Sequence, residues 1–124
     1  REFFQTGTFL RPPAVEVPSA DLLLSRISIY AARLGGPTEA HITSPEVLTG
    51  AFRANDGRVA IALAGINLEP RTVTVPLARG MYGLPASTRV IRHDATGTTD
   101  LGVLSGALRL TMTPLQGVVL ELKP

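Results

Sequence analysis

The sequence contains no cysteine and no tryptophan, and it contains a single lysine. The lack of cysteine excludes disulfide bonds and thiolate metal ligands. With only four phenylalanines and two tyrosines, the chain has few of the planar rings that sugar-binding modules stack on pyranose faces. No apolar run approaches the roughly 20 residues that a membrane-spanning helix needs. The sequence therefore predicts no membrane partner.

Charge is sparse and evenly spread over the 124 residues. Charged residues make up 18% of the chain, the formal net charge is +2, and eleven arginines stand against the single lysine. A nucleic-acid site needs a concentrated basic face, ideally with aromatic residues interleaved. Because the arginines are scattered from Arg1 to Arg109, no nucleic-acid partner is predicted. The apolar content of 44% indicates one globular domain with a real core.

The polar residues show no arrangement that indicates catalysis. His93 and Asp94 are adjacent, but neighbouring strand residues point to opposite faces, so we expect a strand end at His93 and a turn capped by Asp94. His41 has no partner at a metal-ligand spacing. Gly35-Gly36 lacks the third glycine of a phosphate loop, and no Gly-x-Ser-x-Gly elbow occurs. The chain alone is predicted to have no catalytic residue, no metal and no cofactor.

A hairpin is the clearest local structure. The runs Glu46–Ala54 and Arg58–Asn67 flank the turn Asn55-Asp-Gly57, where glycine adopts φ > 0 without a Cβ penalty. The second run is apolar on both faces, which is typical of a strand covered on both sides. We therefore expect a central sandwich strand with Phe52 in the core beside it. One face of this run is almost all alanine and presents Ala60, Ala62 and Ala64. Whatever covers that face must approach it closely.

Short alternating runs punctuated by glycine and proline recur every eight to twelve residues from residue 43 onward. This spacing predicts an all-β fold, a two-sheet antiparallel β-sandwich of about 7–9 strands. Residues 21–30 fit either a helix or a strand, and residues 31–41 are predicted as a loop. Pro12 and Pro13 break regular structure. Residues 1–18 are therefore predicted to extend from a preceding domain, and residues 19–124 to form the sandwich. The absence of a start methionine favours a piece of a longer chain.

The chain from Ser44 to Pro124 resembles the C-terminal β-sandwich domains appended to the (β/α)8 barrels of glycoside hydrolases. The segments that carry the resemblance are Pro45–Arg53, Asp56–Leu63, Asn67, Glu69–Pro76 and Leu115–Leu122; the stretch Phe9–Pro13 is similar to the linker that leaves the barrel. The resemblance implies a non-catalytic accessory domain that packs on the preceding catalytic domain of the same polypeptide. The parent protein would be a glycoside hydrolase of carbohydrate metabolism, and its catalytic carboxylates would lie in the barrel.

Three expectations follow for surfaces and partners. The attachment to the preceding domain implies an exposed apolar patch near Phe3, Phe4 and Phe9. Tyr30 and Tyr82 are the two candidate platforms for a carbohydrate ligand, although Tyr82 is also expected to tuck against the core. The alternatives to an accessory domain are a carbohydrate-binding module and an immunoglobulin-like adhesion or assembly domain. The sequence does not indicate the compartment.

Overall fold

The computed structural model describes residues 7–25 and 39–124. Within these ranges the chain forms ten β-strands and a single 3-10 turn at Arg79–Met81. The prediction of an all-β antiparallel fold is confirmed, with one strand more than the upper number expected. The strands are β1 (Thr8–Leu10), β2 (Ser19–Ser25), β3 (Glu39–Pro45), β4 (Val47–Arg53), β5 (Val59–Gly65), β6 (Arg71–Pro76), β7 (Arg89–Asp94), β8 (Gly97–Val103), β9 (Ala107–Met112) and β10 (Gly117–Lys123).

Six of the strands form one antiparallel sheet in the order β1-β4-β5-β10-β7-β8. The predicted hairpin is β4–β5, and β5 is a central strand because it lies between β4 and β10. The last strand of the chain, β10, is also internal, since it pairs with β5 on one side and β7 on the other. A register shift interrupts the pairing of edge strand β8 with β7 between Arg89 and Ile91.

Two further strand pairs complete the described fold, β6–β9 and β2–β3. The β3 strand corrects one prediction, because residues 39–41 were expected in a loop and pair with β2 instead. The glycines and proline at positions 35–37 therefore do not determine the conformation of the residues that follow, where pairing with β2 supplies the backbone hydrogen bonds.

The core lies between the six-stranded sheet and the β6–β9 pair. Side chains from β5 and β10 meet those of β6 and β9 in one apolar cluster, in which Ile61, Leu120, Val73 and Met112 have no exposed surface. Each such side chain contributes about 1.5–3 kcal/mol of burial free energy. Inward-facing and outward-facing residues alternate along β6 and β10. This two-residue alternation is the one that the sequence predicted for both strands.

The described part of the predicted N-terminal extension joins both layers of the sandwich. Phe9 lies opposite Phe52 in the β1–β4 pair, and Glu16 forms a backbone bridge to Thr74 in β6. Pro12 and Pro13 lie between these two contacts, where no ladder donor is required. Residues 8–16 are thus an edge of the sandwich, whereas the domain boundary at residues 18 and 19 stays a prediction.

A buried asparagine ties together the two loops at one end of the sandwich. Asn67 is 1% exposed, and its Nδ2 lies 2.8 Å from the carbonyl oxygen of Glu69, 3.3 Å from that of Met112 and 3.4 Å from that of Thr113. Its Oδ1 accepts no hydrogen bond from any described residue and points at Gly65. Asn67 therefore anchors the β5–β6 loop to the β9–β10 loop through its amide protons.

The turn of the β4–β5 hairpin requires a glycine. Gly57 has φ of 89°, and Ala54 both donates to the carbonyl oxygen of Arg58 and accepts from the amide of Gly57. We expect Gly57→Val to lower the free energy of unfolding by about 2 kcal/mol or more, because a β-branched residue is strained at positive φ. No described atom lies within 4 Å of the added Cβ, so the loss is one of backbone conformation.

Urea unfolding of Gly57→Val and Gly57→Asn would measure this effect. Asparagine tolerates positive φ, so Gly57→Asn should retain most of the wild-type stability. A Gly57→Val variant as stable as the wild type would show that the turn is assigned wrongly.

Candidate functional site

The two tyrosines predicted as sugar platforms differ in what the structure says of them. Tyr30 lies outside the described residues. Tyr82 is 8% exposed and belongs to the core cluster, which confirms the prediction that it packs against the core. Burial raises the pKa of its hydroxyl. That hydroxyl donates to the carbonyl oxygen of Arg11 at 2.7 Å. The ring therefore anchors the N-terminal segment, and its ligand-binding role stays a prediction.

An open cleft of about 440 Å³ lies beside Tyr82, between the N-terminal segment and the 3-10 turn. Its lining is mostly apolar and includes no carboxylate: Leu10, Arg11, Pro12, Ala14, Met81 and Tyr82. Arg53 donates from its guanidinium to the carbonyl oxygen of Tyr82 at one edge of this region. The cleft has room for a small apolar group, and its described lining carries no carboxylate or imidazole.

A second cleft, of about 360 Å³, is more polar. It is lined by Ala20, Asp21, Leu22, Glu46, Ile66, Leu68, Glu69 and Arg71. Arg71 donates to both oxygens of Glu46, at 2.6 and 3.3 Å, and to Glu69 at 3.3 Å. The hydrogen bond from Arg71 to Glu46 raises the pKa of the guanidinium. Both oxygens of Glu46 are therefore occupied by hydrogen bonds from Arg71.

His93 and Asp94 lie on opposite faces of β7, as the sequence predicted, and each has its own partners. His93 Nε2 lies 2.9 Å from Glu121 Oε2, and its Nδ1 lies 3.1 Å from the hydroxyl of Thr98. The tautomer protonated on Nε2 satisfies both contacts. Arg58 donates to the other oxygen of Glu121 at 3.0 Å. The sequence did not predict this cluster. Glu121 and His93 meet only because β10 pairs with β7, and no residue near either of them in the sequence indicates that pairing.

Opposing influences act on the pKa of Glu121. Burial acts to raise the pKa of this carboxyl, but the hydrogen bonds from His93 and Arg58 together outweigh burial and hold the pKa below its usual value. Glu121 is therefore an ionised, paired carboxylate. A general acid of a glycosidase requires the reverse, a carboxyl whose pKa is raised so that it carries a proton.

Asp94 caps the β7–β8 turn, which confirms the role predicted for it. Its Oδ1 accepts from the hydroxyl of Thr96 at 2.6 Å and from the amide of Thr96 at 2.9 Å, and its Oδ2 accepts from Arg92 at 2.8 Å. These bonds, the Thr96 hydroxyl first, lower the pKa of Asp94 from 3.8 to about 2. Arg92 in turn reaches the carbonyl oxygen of Thr111 in β9, so the cap is linked to the second layer.

The depressed pKa of Asp94 predicts a loss of stability in acid. A carboxyl whose folded-state pKa lies below its unfolded-state pKa contributes stability that is present above about pH 4 and is lost as the pH falls towards 2. The wild type should therefore be more stable than Asp94→Asn at pH 7, and this difference should become much smaller as the pH falls from 4 to 2. Urea unfolding of both proteins between pH 7 and pH 2 measures the difference, because urea does not screen charges as a salt does. A difference independent of pH would contradict the assignment.

No chemical centre emerges from the described part of the chain. Among residues 7–25 and 39–124, no three histidine, aspartate or glutamate side chains group as metal ligands would. The same residues contain no helix of the length and hydropathy that could cross a bilayer. What these residues define is a class of protein, an antiparallel β-sandwich in which Glu46, Glu121 and Asp94 are held in ion pairs or cap turns.

Regions of two solved glycosidase structures share the fold of this sandwich. No protein-family profile and no curated protein sequence matches the chain. A structure that does match is a β-L-arabinopyranosidase of glycoside hydrolase family 27 from Geobacillus stearothermophilus, solved with arabinose: the TM-score is 0.50 and the identity 18%, over 65% of this chain and 18% of that one. A putative α-N-acetylgalactosaminidase from Bacillus halodurans C-125 also matches, with a TM-score of 0.50 and 19% identity over 65% and 18% of the two chains.

These matches show a shared fold, and they lie in the C-terminal part of the glycosidases. The region matched is less than a fifth of either enzyme. The similarity therefore extends to the fold alone.

Proposed function

We propose that this chain is a non-catalytic accessory β-sandwich domain that packs on and supports the glycoside-hydrolase-like catalytic domain of a larger protein. One observation carries the proposal. The sandwich matches the C-terminal part of two glycosidases over 65% of its own length but only 18% of theirs. By this proposal the catalytic machinery of the parent protein lies in the part of the polypeptide that precedes the sandwich.

The state of the described carboxylates supports a non-catalytic role. Hydrolysis of a glycosidic bond uses two carboxyl groups that face each other, one held protonated and one ionised. In this sandwich Glu46 is held by Arg71, Glu121 by Arg58 and His93, and Asp94 by Arg92 and Thr96. These carboxylates neutralise cations or cap turns, which are stabilising tasks.

The proposal is tested on the full polypeptide encoded by the natural gene. We expect the coding sequence before Arg1 to specify a (β/α)8 barrel, and the purified protein to hydrolyse a nitrophenyl glycoside. Glu46→Gln and Glu121→Gln should leave kcat within about twofold of wild type at temperatures where both variants are folded, because neither carboxylate touches the substrate. A loss of kcat beyond a hundredfold in a folded Glu121→Gln variant would overturn the non-catalytic assignment.

Two other outcomes would favour the alternative classes. Tandem sandwich copies before Arg1, in place of a barrel, would favour an adhesion or assembly domain. Retention on insoluble polysaccharide would favour a carbohydrate-binding module if it were lost in Tyr30→Ala or Tyr82→Ala. Because Tyr82 is a core residue, Tyr82→Phe is the matched control, which keeps the ring and removes only the hydrogen bond to Arg11.

A further inference from the structure

One face of the six-stranded sheet is turned away from the core and carries an unusual set of side chains. The register places Phe9 opposite Phe52 and Phe52 opposite Ala60, and places Leu48 opposite Ala64. Phe9 is 80% exposed and Leu48 is 49% exposed. We call this region the outer apolar patch and define it by the residues that β1, β4 and β5 contribute: Phe9, Leu48, Phe52, Ala62 and Ala64.

The outer apolar patch departs from the pattern of a sheet that faces water. An antiparallel sheet with one solvated side alternates apolar and polar residues, whereas here β5 presents alanines on the side opposite its core residues. The ring of Phe52 lies across Gly50, since a Cβ on that glycine would come within 3.2 Å of the ring, and the Phe9 ring lies 5.1 Å from that of Phe52. The two phenylalanine rings therefore project at one edge of a surface that is otherwise formed by small side chains.

A polar cluster limits the patch on its other side. On β10 and β7, the same face carries Glu121 paired with Arg58 and His93, followed by the Arg89–Asp100 pair towards β8. An apolar centre with a charged rim is the usual anatomy of a protein interface. Other large apolar side chains are exposed among the described residues, but they are dispersed: Leu68 and Leu115 on loops, Met81 in the 3-10 turn, Ile42 on β3 and Val103 at the end of edge strand β8.

The chain enters the sandwich through this patch, which identifies the occupant. The strand β1, the first one described, contributes Phe9 to the patch and pairs with β4 at the edge of the sheet. Because β1 and β5 are about 10 Å apart across the sheet, a domain that precedes β1 is connected to the sandwich beside the patch and is held there at a high effective concentration.

From this geometry we infer that the outer apolar patch is the surface on which the preceding domain of the same polypeptide docks. The inference rests on the proposed function, which requires a preceding domain, and it adds the surface on which that domain packs. The small side chains of Ala62 and Ala64 let the partner approach the sheet closely, and the Phe9–Phe52 pair supplies the large apolar contact next to the connection. The partner's contacting surface is correspondingly apolar and bulky.

Thiol labelling of the full polypeptide tests the docking surface. Because residues 1–124 contain no cysteine, Leu48→Cys and Leu68→Cys each place one thiol in the domain, the first in the patch and the second at a more exposed control site. Labelling is followed at each site by mass spectrometry, and each rate is normalised to that of the same variant in denaturant. We expect Leu48→Cys to be labelled at least tenfold more slowly than Leu68→Cys, and the protection to persist on hundredfold dilution.

The remaining outcomes separate the docking surface from the proposed function. Equal normalised rates in a polypeptide that carries a catalytic domain would overturn the docking surface and leave the proposed function intact. Protection that disappears on dilution would assign the patch to a second copy of the chain and would also overturn the inference. A gene that encodes no preceding domain would overturn both.

Discussion

Replacing Asn67 with aspartate is expected to lower the free energy of unfolding by about 3–5 kcal/mol at pH 7, a penalty of the size seen for an uncompensated buried charge. Asn67 is almost completely buried, and its Nδ2 faces the carbonyl oxygens of Glu69, Met112 and Thr113. An aspartate would remove the donor and direct a carboxylate at these oxygens. Denaturant unfolding at pH 7 measures the loss.

Asn67→Ala is the control that separates the charge from the lost hydrogen bonds. It should cost about 1–3 kcal/mol, since it leaves carbonyl groups unpaired without adding charge. Burial among carbonyl oxygens would raise the pKa of the introduced carboxyl, so the gap between the two variants should narrow as the pH falls from 7 to 4. Equal stabilities of Asn67→Asp and Asn67→Ala at pH 7 would show that Nδ2 does not face these carbonyls.

Replacing Gly65 with alanine is expected to cost about 2–4 kcal/mol, because it overpacks a site that has no free space and displaces a buried hydrogen-bonding group. A Cβ built on Gly65 would overlap Oδ1 of Asn67, and the carbonyl oxygen of Gln116 lies 3.3 Å away on the same side. Gly65 also donates its amide to that carbonyl at 2.9 Å, so the backbone cannot move aside freely. Thermal and urea unfolding both measure the effect.

A double-mutant cycle identifies Asn67 as the obstacle. In the Asn67→Ala background the Oδ1 atom is absent, so adding Gly65→Ala should cost less than about 1 kcal/mol, with a coupling energy of about 1–3 kcal/mol. Gly106→Ala is the matched control, since nothing lies within 4 Å of its Cβ, and it should change stability by no more than about 0.5 kcal/mol. A coupling energy near zero would assign the cost of Gly65→Ala to the backbone.

The sequence predicted those parts of the fold that local chemistry determines. The Asp56-Gly57 turn, the two-faced apolar run of β5 and the alternating run of β6 each indicate their structure within a few residues. Pairings between strands that are distant in the sequence could not be predicted from the sequence. Nothing near Phe9 indicates that this residue faces Phe52 across the β1–β4 pair, and Phe52 was wrongly expected in the core because the face of β4 that turns inward depends on that sheet's packing.

In the candidate site, too, local roles could be predicted from the sequence and contacts between distant residues could not. The turn-capping role of Asp94 followed from its position before Ala95-Thr96-Gly97, because aspartate caps such turns through its own backbone neighbours. The pairs Glu46–Arg71 and Glu121–His93 span 25 and 28 residues, and no spacing rule predicts an ion pair across strands whose register is unknown. Asn67 was marked only as part of a family resemblance, and its buried anchoring role required the positions of β9 and β10.

The position of β10 inside the six-stranded sheet affects how the chain acquires its structure. The β4–β5 hairpin can form as soon as its own residues are present, but its open edge stays unpaired until the final segment, Gly117–Lys123, is inserted between β5 and β7. During synthesis the edge of β5 therefore stays unpaired until residues 117–123 have left the ribosome, which is a period of exposure to aggregation. Closure depends on pairing across more than fifty residues, and such long-range contacts make folding slow.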